Sequence, residues 1–120
     1  MTTRFVKPGD ALNYTNNTAA DIAVNDVVVV GSYIGVAATN IPIGATGSIL
    51  GDGVFTLPKK AGTAMPAGTK VTWSVADKAV IVGAGVTGDV FGCGVVVELD
   101  AASADTSARV LLDTGMGSKV

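Results

Sequence analysis

The residues best placed to do chemistry are Gly83-Ala84-Gly85-Val86-Thr87-Gly88, which match the dinucleotide fingerprint G-x-G-x-x-G. Ala79-Val80-Ile81-Val82 precede them as a strand would. In a nucleotide site the third glycine opens a helix, whose N-terminus holds the pyrophosphate. The residues that follow do not suit a helix. Asp89 to Leu99 contain Gly92, Gly94 and a run of β-branched and aromatic side chains, and each interior Gly costs a helix roughly 1 kcal/mol. No βα units come before the motif. The expected role of Gly83–Gly88 is a glycine-rich turn between two strands; a dinucleotide-binding enzyme fragment is the remote alternative.

Other chemistries find fewer residues still. A phosphate loop G-x-x-x-x-G-K-[ST] is absent: in Gly62–Lys70, Thr69 separates Gly68 from Lys70. The chain has no His and a single Cys, so neither a Cys/His zinc set nor a Cys–His nucleophile can be assembled. Cys93, flanked by Gly92, Gly94 and Val95, reads as a small buried strand residue that cannot form an intrachain disulfide. Asp52, Asp77, Asp89, Asp100 and Asp105 sit beside Gly, Ala or Ser, where Asp usually caps a turn. We therefore expect no catalysis, no cofactor and no metal.

The elements that would position these residues are strands. Apolar residues make up 48% of the 120-residue chain, charged residues 15%, and there are 16 Gly. Long helix formers are scarce, with one Glu (Glu98) and no Gln, whereas Val and Thr abound, a balance that favours strands. Strands are expected at Leu12–Thr15, Val27–Val30, Tyr33–Ala37, Thr46–Leu50, Val54–Leu57 and Ala79–Val82. Lys70–Val75 alternates, with Val71, Trp73 and Val75 on one face and Lys70, Thr72 and Ser74 on the other. Val95, Val97 and Leu99 alternate with Val96 and Glu98. Ala108, Val110 and Leu112 alternate with Ser107, Arg109 and Leu111. Ala101–Thr106 is a small-residue loop, and Pro58–Ala67 or Ala101–Ser107 could hold one short helix. Ile41-Pro42-Ile43-Gly44 and Met65-Pro66-Ala67-Gly68 share a turn chemistry, each before a strand.

Turn signals this regular predict an all-β fold, a small sandwich or barrel with Gly/Pro turns. It divides as an extended N-terminal arm over 1–9 and a single β domain over 10–120. Trp73, the only Trp, is expected to anchor the core or a subunit contact. The net charge is −2, which gives no electrostatic reason for broad nucleic-acid binding. Arg4 and Lys7 make the arm basic, while the rest of the chain carries all ten acids. No apolar run reaches 18 residues, so no membrane span is expected. The opening Met-Thr-Thr-Arg-Phe is not a signal peptide, which implies synthesis in a cytoplasm.

Taken in order, several segments resemble the capsid cement (head decoration) family of tailed bacteriophages. They are Phe5–Asp10 with Leu12–Thr15, Asn25–Gly31 with Ile34–Ala37, Gly44–Gly47 with Gly53–Lys59, Gly68–Trp73, and Ala104–Thr106 with Arg109–Leu112. The resemblance implies a structural virion protein on the outer capsid surface, made in the bacterial host. It implies a homotrimer whose partner is the major capsid protein of the head. On this reading Thr2, Thr3, Arg4, Phe5, Val6 and Lys7 are the candidate capsid-contact residues, by adding a strand to an exposed edge; the alternative for the same residues is an ordinary first strand of the domain. A head-fibre or adhesin-like binding module on the same scaffold is the alternative.

Overall fold

The computed structural model describes residues 11–115 and 117–120, and they form strands without any helix. The strands are β1 (Ala11–Thr15), β2 (Val27–Val30), β3 (Tyr33–Ala37), β4 (Thr46–Leu50), β5 (Gly53–Pro58), β6 (Lys70–Ser74), β7 (Ala79–Ile81), β8 (Val90–Val96), β9 (Ser107–Leu112) and β10 (Ser118–Lys119). They make two antiparallel sheets, ordered β1-β4-β3-β2 and β5-β9-β8-β6-β7, with β10 alongside β8. The N-terminal arm lies outside the described residues. Neither segment considered for a short helix forms one; both close as hydrogen-bonded turns.

Alternation builds the core. On β9, Ala108, Val110 and Leu112 point inward, opposite Leu57, Phe55 and Gly53 of β5. Trp73, Val71, Val90, Val96 and Met65 join them, and the first sheet adds Ile34 and Val36, with Val27 and Val29 packed against the cluster. The first sheet also has a smaller apolar layer on its other face, where Val28, Ala37, Ile41 and Ile49 pack with Leu12, Tyr14 and Ile22. The second sheet curls until its edges touch: Lys59, just past β5, bridges Val80 of β7.

Two matching clasps hold the long connections. In each, a buried residue (Ile41, Met65) precedes Pro and then a positive-φ glycine (Gly44, Gly68). A backbone bond closes the turn, Ala45 N–H to Pro42 O and Thr69 N–H to Pro66 O. Each turn is then held by a distant aspartate: Asp21 accepts from Ile43 N–H at 2.9 Å and Asp100 from Ala67 N–H at 2.8 Å. The buried residues also bridge the neighbours of those acids, Ile22 with Ile41 and Ala101 with Met65. The shared turn chemistry seen in the sequence is thus half of a larger device.

Two alternation readings are corrected. β6 ends at Ser74, so Val75 does not share the core face of Val71 and Trp73; it is 47% exposed. β8 ends at Val96, which is itself core, and Leu99 lies in an exposed bend after Glu98, whose φ is +68°. β6 and β8 also pair irregularly: Val71 pairs with Gly94 but Trp73 with Val90, so four steps along β8 oppose two along β6. Gly92 absorbs the excess at φ +65°.

Candidate functional site

Gly83–Gly88 connects β7 to β8, and no helix follows it. It folds back over the outer face of β6, where Thr72 Oγ donates to Gly83 O. That cover explains why Thr72 is buried although the sequence marks it as polar face; Ser74, also buried, is engaged by Asp77. Asp89 fastens the loop. One carboxylate oxygen accepts from Val86 N–H at 2.9 Å and the other from Val75 N–H at 3.0 Å. These two bonds, Val86 foremost, hold the Asp89 pKa below its ordinary value. The chain's last residue closes the same corner through Gly88 N–H to Val120 O and Val120 N–H to Asp89 O. Val86 N–H is thus engaged by Asp89 and Gly88 N–H by Val120, within the loop's own corner.

The remaining candidates are similarly engaged. Asp52 accepts from Thr114 N–H, Asp105 from Ala102 N–H, and Asp77 from Ser74 Oγ beside the exposed Lys60 ammonium. Cys93 is buried, and burial pushes its thiol up to about 11. Trp73 belongs to the core at 5% exposure. Sequence reasoning missed Lys59. It is 3% exposed, and its ammonium donates to Lys60 O, Ser103 O and Asp105 O at 3.2–3.3 Å. Nothing in Pro58-Lys59-Lys60 distinguishes the buried lysine from the exposed one. Among the described residues no group of three or more His, Cys, Asp or Glu is placed to hold a metal, and no helix is long and apolar enough to cross a membrane.

The surfaces are more distinctive than these interior groups. Val54, Leu111 and Val95 are cross-strand neighbours and so form one apolar row on the outer face of the second sheet. Val54 and Leu111 are 48% and 38% exposed. β2 also borders a groove of about 420 Å³ lined by Tyr14, Ile22 and Asp26 as well as Trp73, Val75 and Lys78. The arm residues Thr2, Thr3, Arg4, Phe5, Val6 and Lys7 lie outside the described residues.

The family model for phage cement protein matches residues 6–112. The chain belongs to the phage cement protein family. No curated protein and no solved structure matches it. Membership assigns the chain a structural role in a phage capsid. A cement protein needs a stable body and surfaces for partners, and the β scaffold with its exposed apolar row supplies both.

Proposed function

We propose that the protein binds the outer surface of an assembled phage head, through the major capsid protein, and stabilises the shell without catalysis. The observation that carries this reading is the family match over residues 6–112. A protein that binds only the assembled state shifts the equilibrium toward it by mass action. Three copies around a local threefold axis would add avidity to weak single contacts. The body offers the row Val54–Leu111–Val95 as apolar contact. The basic arm, Thr2–Lys7, reaches beyond its own body and adds a strand to an exposed edge in the decorated head.

Co-sedimentation with purified, undecorated expanded heads tests the proposal. The protein should pellet with heads at a saturating stoichiometry and raise the temperature at which they release DNA. Failure to pellet, or pelleting with no change in head stability, refutes it.

A further inference from the structure

The corner around Asp89 joins three parts of the chain that are distant in sequence. Its carboxylate accepts from Val75 N–H, just past β6, and from Val86 N–H in the Gly83–Gly88 loop. Its main chain meets β10's neighbour: Val120 N–H donates to Asp89 O, and Gly88 N–H donates to Val120 O. The loop lies directly on what it covers, since a Cβ on Gly85 would meet Asp89 Oδ2 at 2.8 Å and Thr72 Cγ2 at 3.0 Å. Asp89 is buried, yet Val86, Thr87, Ser118, Lys119 and Val120 are exposed. Neither the loop nor residues 118–120 belong to the two apolar clusters of the core, and β10 pairs with β8 over two residues alone. Hydrogen bonds rather than apolar burial therefore hold both segments, the mark of a region that opens before the body unfolds. Gly117, set too close to Ser32 and Val90 to admit a Cβ, pins the chain where residues 118–120 begin.

We propose that the Gly83–Gly88 loop and residues 118–120 form one strap, fastened at Asp89, that opens as a unit while the two sheets stay folded. The Asp89 side chain holds the loop and its main chain holds Val120. Gly88 couples the two, because it adjoins Asp89 in the chain and is bonded to Val120. A loss at either fastening is therefore felt at the other. Opening uncovers Thr72 and frees the Val90–Phe91 edge of β8, which β10 otherwise pairs. The body keeps the pairing of β5 with β9 and the Asp-held turns at Ile43 and Ala67. The strap stands apart from shell binding, and its failure leaves the proposed function untouched.

Amide hydrogen exchange of the full chain, read residue by residue by NMR, tests it. Asp89→Asn weakens the carboxylate that holds Val75 and Val86. The Gly88 and Val120 amides, which that carboxylate does not touch, should nevertheless lose protection about fivefold, the weight of one hydrogen bond. Val120→Pro removes the Val120 N–H, and the Val75 and Val86 amides should then lose protection by a similar factor. The Gly68 and Val96 amides, bonded to Val96 O and Thr69 O in the body, should not change in either variant. Gly88 and Val120 keeping their protection in Asp89→Asn overturns the inference, as does Val75 and Val86 keeping theirs in Val120→Pro. Should a variant unfold and the body amides change with it, exchange of the parent in rising, sub-denaturing urea decides. Val75, Val86, Gly88 and Val120 should then converge on one opening free energy, below that of Gly68 and Val96. Separate openings for the loop and for Val120, or exchange of all four only with the body, overturns it.

Discussion

Replacing Lys59 with Met should destabilise the protein by about 2 kcal/mol. The side chain is buried, and its ammonium holds three backbone carbonyls, two of them in the Ala101–Asp105 loop. Each bond is long, 3.2–3.3 Å, so the lower part of the usual range, about 0.5–1 kcal/mol net, applies to each. The sum of about 1.5–3 kcal/mol is partly offset because Met keeps the apolar stem packed and removes a charge that is costly to bury. The main-chain bonds Lys59 N–H to Thr106 O and Gly62 N–H to Ser103 O remain in the variant, so the fold should survive. Urea unfolding measures the loss directly, and the melting temperature should fall by about 8 °C. Lys60→Met is the control. Lys60 meets Asp77 at 3.3 Å with its side chain 60% exposed, and such surface pairs contribute at most about 1 kcal/mol. The reasoning is refuted if Lys59→Met lies within 0.5 kcal/mol of the parent (about the ordinary surface-substitution scatter), or if Lys60→Met costs as much.

Three further outcomes follow from the same structure. Gly94→Ala should lower stability by about 2 kcal/mol or more, because a methyl there would meet Val110 at 2.6 Å and the Leu111 carbonyl at 2.7 Å; urea midpoints read it. Asp89→Asn should destabilise at neutral pH, and the gap to the parent should close on acidification. The native carboxylate has a lowered pKa, so its contribution is complete above about pH 4 and fades as pH falls through the folded value; melts from pH 6 to 2 show whether the curves converge. Cys93 should resist a thiol reagent at pH 8 until urea is added, since burial keeps it protonated; fast labelling of the native protein would contradict that.

Much of the fold was legible in residue type. Val27–Val30, Tyr33–Ala37 and Ser107–Leu112 read as strands because β-branched runs and strict alternation have no good helical reading, and they are strands. Gly83–Gly88 was legible as a turn because Gly92 and Gly94 forbid the helix a nucleotide needs. What covers a face was not legible. Thr72 looks like part of a wet face until the glycine loop is laid across it, and periodicity separates faces without saying what lies on each. β8 ends at Val96, on the core face opposite Val110, and Leu99 falls in the bend beyond it, where alternation no longer applies. The Pro-Gly turns were visible, but Asp21 and Asp100 lie too far along the chain for spacing to link them to Ile43 and Ala67. The place of β2 at the end of its sheet was hidden for a related reason: strand order is decided by pairing, which local sequence does not encode.

We propose that this β body attaches to the outside of a phage head. Cryo-microscopy of undecorated expanded heads, with and without the protein, tests it most directly. We predict added density outside the shell, grouped around local threefold positions and matched by the two sheets. Unchanged heads at saturating protein, or density on the inner surface, would contradict it.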